Sequence, residues 1–150
     1  MSLRAELAGV FPSILRHEGA WVGIYTHLDA QARIVDRHEA SVTCEFPDDG
    51  PFAYVQRNRF TWADGRVVES ELPGVLRDGR LHWDVPTFRG SAWEGGEGTI
   101  LLHLDRKDDP GAHFVEIIVL APDGRTRART WHWFKDGALI RRTLCDERRA

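Results

Sequence analysis

Asp36 and His38 are separated by a single residue in Ile34-Val35-Asp36-Arg37-His38. On an extended strand that spacing puts both side chains on one face. A carboxylate beside an imidazole raises its basicity and fixes its tautomer, which suits proton transfer near neutral pH. Tyr25 and His27 repeat the spacing in the run Trp21-Val22-Gly23-Ile24-Tyr25-Thr26-His27. His38, Asp36 and Tyr25 are therefore the candidate catalytic residues, as base, orienting carboxylate and hydroxyl donor. The plainer alternative is a satisfied polar pair at the mouth of a barrel. His27 and His38 lie on successive strands and could share a metal ion. No third donor stands at a ligand-like spacing, so no metal is expected. No His is marked out as a haem ligand, and no other cofactor is expected. The chain carries no nucleophile elbow, phosphate loop or dinucleotide fingerprint.

These residues belong to a chain that changes character after its first turns. Leu3, Leu7, Val10 and Ile14 recur at helical steps, predicting an amphipathic helix over 2–16 that Pro12 kinks or splits. From Trp21 onward, β-rich runs alternate with turn signals. The runs are 21–28, 34–46, 52–62, 67–72, 81–86, 90–94, 99–104, 113–120, 126–134 and 139–145. Asp64-Gly65, Asp78-Gly79, Asp123-Gly124 and Asp136-Gly137 are hairpin signals, because Gly adopts positive φ and Asp tolerates it. Such a meander predicts an all-β, antiparallel up-and-down barrel of about eight to ten strands with an N-terminal helix, since closure removes exposed edges. One domain is expected over 1–150, with a helical lead-in at 1–18, the barrel at 19–145 and a solvated tail at 146–150.

Alternation assigns the faces. Trp21, Gly23, Tyr25 and His27 point inward together, as do Asp36, His38, Ala40, Val42, Cys44 and Phe46. Trp21 reads as an apolar plug at one barrel end, and Gly23 as a small residue leaving room for a substrate before the His38 ring. Tyr54, Gln56, Asn58, Phe60 and Trp62 share an inner face on the third strand. Glu116 and Arg129 are carried inward on later strands. Buried polar groups cost about 1–3 kcal/mol each unless paired. So many of them suggest a polar-decorated cavity holding a mostly apolar ligand. His27, Gln56, Asn58, Trp83, Trp93, Glu116, Arg129 and Trp133 are the candidate ligand-binding residues.

Composition limits the partners. A net charge of −3 without a basic run gives no reason to expect nucleic acid. No apolar run approaches the ~20 residues of a bilayer span, so no membrane insertion is expected. The first nineteen residues lack an uninterrupted apolar stretch, and a cytoplasmic location with Cys44 and Cys145 reduced is expected. Six Trp in 150 residues is a large aromatic content that must line a core, a pocket or an interface.

The Gly-flanked Trp21-Val22-Gly23-Ile24-Tyr25 run is one of four telling segments. The others are Asn58-Arg59-Phe60-Thr61-Trp62 before Asp64-Gly65-Arg66, Gly90-Ser91-Ala92-Trp93-Glu94, and Arg127-Ala128-Arg129-Thr130-Trp131-His132-Trp133-Phe134. With them the chain resembles the lipocalin-like barrels of the calycin superfamily, and more closely a lipocalin-like domain-of-unknown-function family. The resemblance implies a barrel with a ligand cavity and fixes no reaction. It also implies an Arg from a late strand packed across the first-strand Trp, a place that Arg129 or Arg142 could fill here.

Three functions follow as expectations. The first is binding of a small apolar or aromatic molecule. The second is a cofactor-free lyase, isomerase or cyclase using the acid–base residues of the same cavity. The third is an oligomerising module, such as a homodimer joined through a Trp-rich surface. Polar groups converging at one mouth favour the enzyme, dispersed pairs favour the binder, and a filled barrel favours the structural module.

Overall fold

Ser2 caps the first helix: the Ala5 N–H donates to its Oγ at 3.1 Å. In the computed structural model, which describes residues 1–150, that helix is α1, Leu3–Val10, and Pro12 opens a second short helix, α2, Pro12–Leu15. Pro12 splits the pattern because it sits at the first position of α2, where its missing N–H is harmless. Leu7, Phe11 and Ile14 are buried, so both helices lay their apolar faces on one end of the barrel.

Ten strands follow: Gly19–Asp29 (β1), Ile34–Glu45 (β2), Tyr54–Thr61 (β3), Val67–Arg77 (β4), Arg80–Asp84 (β5), Phe88–Gly96 (β6), Thr99–Arg106 (β7), Ala112–Leu120 (β8), Thr126–Lys135 (β9) and Ala138–Arg149 (β10). Each pairs antiparallel with the next, and β10 returns to β1 to close the barrel. The Asp-Gly pairs make the turns. Asp78 and Gly79 both take positive φ, as do Asp136 and Gly137, which gives two-residue hairpins matched to strand twist.

The helical end is sealed. Trp21 is fully buried and its indole N–H donates to the His17 carbonyl at 2.9 Å. The guanidinium carbons of Arg127 and Arg149 lie 4.5 and 4.2 Å from its ring. The Arg partners of Trp21 are thus Arg127 and Arg149. Arg129 sits one step deeper, and Arg142 alternates to the outer wall. The expected solvated tail is also corrected. Residues 146–149 complete β10, with Glu147 buried against Arg127 at 2.8 Å, and Arg149 donating to the Arg16 carbonyl at 2.8 Å. Gly23 is corrected as well. A Cβ there would lie 2.4 Å from the Asp146 carbonyl oxygen and 2.7 Å from Glu147 Cγ. The missing side chain admits β10 and leaves no substrate space.

His17 links this seal to pH. It is buried beside Arg127, and burial, then the charges of Arg127, Arg129 and Arg149, push its pKa down from 6.5 to about 3. The unfolded chain takes up this proton first, so it binds more protons than the folded one between these values, and stability rises with pH there. On acidification from about pH 6.5 to about pH 4.5, His17 should lower stability by up to ~1.4 kcal/mol per unit. Asn at this position can still accept from Arg127. Denaturant unfolding of His17→Asn should show a shallower pH slope, and an unaltered slope would contradict this burial.

The other end has no covering helix, and part of the wall is unpaired. The β4–β5 ladder spans only Val75–Arg77 against Arg80–His82. The sequence placed the end of the fourth strand at residue 72, before Pro73-Gly74, but β4 continues through both. Gly74 O accepts from Ala53 N on the β3 side, so alternation turns the Pro73 nitrogen toward β5, where the broken ladder asks for no donor. Instead of a full ladder, the Trp83 indole N–H crosses the gap to the Leu72 carbonyl at 3.2 Å. Val68 pairs with the inward-facing Phe60 yet remains 44% exposed.

Candidate functional site

At the open end β1, β2 and β10 bring together two imidazoles and a carboxylate. Tyr25 pairs with His38 and His27 with Asp36, so the two-residue spacings of neighbouring strands interleave on one inner wall. His38 Nδ1 lies 3.1 Å from Asp36 Oδ2, and His27 Nε2 lies 3.9 Å from the same oxygen. Both imidazoles are buried, whereas the Asp36 side chain is one-third exposed at the rim. The Trp62 indole N–H donates to Asp36 Oδ1 at 2.9 Å, and the Trp62 and His38 rings are 4.3 Å apart. Behind His27, Nδ1 meets Thr143 Oγ1 at 2.7 Å, and the Trp133 indole N–H donates to that oxygen at 2.8 Å.

The charges follow from this packing. Burial, reinforced by Arg141 and His38, pushes the His27 pKa down to about 4 against the pull of Asp36, so His27 is neutral at pH 7. Burial would raise the Asp36 carboxyl, but the Trp62 and His38 hydrogen bonds outweigh it and hold it below the usual range. An anionic Asp36 accepts from His38 Nδ1–H, which leaves the lone pair on Nε2. That nitrogen is buried and has no hydrogen-bond partner.

Tyr25 sits just below, with ring centroids 5.0 Å apart from His38. Its hydroxyl accepts from Arg129 Nη1 at 2.9 Å, and burial raises its pKa, so it keeps its own proton to donate. Arg129 also donates to Glu116 at 2.8 Å, so Glu116 and Arg129 form a buried ion pair beneath the mouth.

The remaining candidates lie elsewhere. Tyr54, Gln56, Asn58 and Ser70 form a hydrogen-bonded chain that runs toward the gap beside β4. Asn58 pairs with Val42, four residues along β2 from His38, about 13 Å away at strand rise. It does not share a reaction centre with His38, and the neighbour there is Trp62. Trp83 bridges the gap. Trp93 alternates with the buried Ala92 onto the outer wall, where Arg80 stacks on it at 4.4 Å. It lines no interior. Trp62 and Thr143 were missed as site residues. Trp62 ends an inward run, which was signal enough, whereas Thr143 was hidden because nothing in sequence sets the β10 register. Asp36 is also the third donor that the His27/His38 spacing alone did not reveal.

Phe60, Leu72, Phe88, Leu102 and Trp133 pack on the core but are only partly buried. They flank the open mouth and the β4–β5 gap. A broad surface concavity lies on the outer face near Val22, Ile24, Arg37 and Leu144, and includes neither His38 nor Asp36.

No protein-family model matches the sequence, and no curated protein matches it. Solved structures do match in shape. A DUF3598-family protein of unknown function from Nostoc punctiforme aligns at TM-score 0.69 and 19% identity over 91% of this chain. The chain spans about half that protein's length, 49%. The S-type phycobiliprotein lyase CPES from Guillardia theta aligns at TM-score 0.73 and 18% identity, covering 100% of this chain and 93% of its own. Rv2717c from M. tuberculosis aligns at 0.60 and 17% identity, covering 94% and 99%. At these identities the likeness is one of fold.

Proposed function

We propose that the barrel binds a small apolar or aromatic molecule through its open mouth and the β4–β5 gap, as its resemblance to lipocalin-like barrels implies. The observation that carries this is the set of inward-facing apolar side chains left partly exposed beside a broken ladder. Deeper in, Glu116, Arg129, Glu147 and Arg127 pair among themselves, whereas at the mouth the unpartnered His38 Nε2 is left to orient a guest. The free, buried Cys44 and Cys145 suit the reducing cytoplasm. No helix is long and apolar enough to cross a membrane.

The test is calorimetric titration with an anilinonaphthalene sulfonate dye. Val68→Trp and Leu72→Trp should each weaken binding by about tenfold or more by filling the gap, the scale of a buried aromatic contact. Trp93→Ala should bind normally. Unchanged affinity in both gap variants would place the ligand elsewhere.

A second reading is favoured by the His38–Asp36 contact and the unpartnered His38 Nε2. It is a cofactor-independent lyase or isomerase in which His38 takes the proton, Asp36 holds the imidazolium and Tyr25 donates to the developing oxyanion. The Guillardia theta neighbour is a lyase by name, and at 18% identity it lends a fold and no mechanism. In a substrate screen, His38→Ala should cut kcat by ~10²–10⁴ and Asp36→Asn by less. Full turnover by folded His38→Ala would remove the base.

A further inference from the structure

We propose that His27, Asp36 and His38 form a mononuclear site for a first-row divalent transition cation such as zinc. One donor atom from each residue lies within 4.8 Å of the others. With Asp36 Oδ2 as hub, the donor separations are 3.9 Å to His27 Nε2 and 3.1 Å to His38 Nδ1. A tetrahedral ion with bonds of about 2.0–2.1 Å sets its donors about 3.3 Å apart, so the two observed separations straddle the required one. The two imidazole donors also lie within 4.8 Å of each other, so binding an ion draws the three donors together.

His27 and Asp36 have the outer partners that metal ligands need. His27 Nδ1 is held by Thr143, itself fixed by Trp133, which leaves Nε2 as the free donor. Trp62 pins the second Asp36 oxygen and aims the first inward. A cation between Asp36 and His38 replaces the Nδ1 proton, which moves to Nε2, so the neutral imidazole loses no proton overall. Two imidazoles and one carboxylate favour zinc, iron or nickel over magnesium or calcium. Three protein donors leave a fourth position for water or a guest molecule. The exposed third of Asp36 gives the ion a route from solvent.

A second group, His103, Asp105 and His113, lies on the outer wall. There the His103–Asp105 distance is 3.5 Å, and both side chains are about half exposed or more. No buried hydroxyl or indole orients those imidazoles, which makes the group a control.

The proposal is independent of dye binding, which is measured on metal-free protein. It competes with the proton-transfer reading, because a metal on His38 Nδ1 leaves Nε2 carrying the proton and no longer a base. Untagged, metal-stripped protein is titrated with Co²⁺ by visible absorption and with Zn²⁺ by calorimetry, and folding is followed by circular dichroism. One equivalent should bind, with the ligand-field bands of a four-coordinate cobalt that zinc abolishes. His27→Ala and His38→Ala should each weaken binding about 100-fold or more, and Thr143→Val or Trp62→Phe by about tenfold, the scale of outer-partner losses. Asp36→Asn, a rim change, serves if either His variant unfolds. His103→Ala/His113→Ala should bind as the wild type does. No stoichiometric binding, or binding lost only in His103→Ala/His113→Ala, would overturn the proposal.

Discussion

Trp21→Ala should destabilise the protein by about 3–5 kcal/mol in denaturant unfolding. The indole is fully buried, and its removal opens a cavity between two stacked guanidinium groups and beneath the α2 turn. It also strips the His17 carbonyl of its donor. The loss should exceed that of Trp93→Ala, whose ring lies on the outer wall. Equal midpoints for these two variants would show that Trp21 does not seal the barrel.

The second large effect lies one layer deeper. Glu116, Arg129, Glu147 and Arg127 form an alternating buried chain, with contacts of 2.8, 3.5 and 2.8 Å. Their formal charges cancel. Glu116→Leu leaves the Arg129 guanidinium without its closest carboxylate, and stranding a buried charge costs about 3–5 kcal/mol. Replacing both partners removes the stranded charge. Glu116→Leu/Arg129→Met should therefore be more stable than Glu116→Leu alone, a favourable coupling in a double-mutant cycle. An additive cycle would mean that the pair is not coupled.

Much of this architecture was legible because strands alternate and turns have chemistry. The Asp-Gly pairs placed the hairpins, and the apolar alternation of β2 carried Asp36 and His38 inward. Pro12 announced the split between α1 and α2. What was not legible depended on register and on gaps. Charges in Asp146-Glu147-Arg148-Arg149 resembled a solvated end, because sequence does not show that Arg127 and Trp21 await Glu147 and Arg149. Trp93 reads as a ligand-binding residue from its aromatic type, although one step of alternation from Ala92 sends it out. Pro73-Gly74 looked like a strand end and instead marks a strand with no partner on one side. Asp36 could be paired with His38 by spacing, but its approach to His27 required the β1–β2 register.

The proposed ligand site is the barrel interior, reached through the mouth and the gap. The six indole N–H groups report on it directly, because they are spread over the plug, the core, the gap, the mouth and the outer wall. Two-dimensional proton–nitrogen NMR of metal-free protein, titrated with the naphthalene dye, should move the Trp62, Trp133 and Trp83 indole resonances together and leave those of Trp21 and Trp93 in place. Shifts confined to Trp93, or no shift at saturating dye, would contradict an interior site.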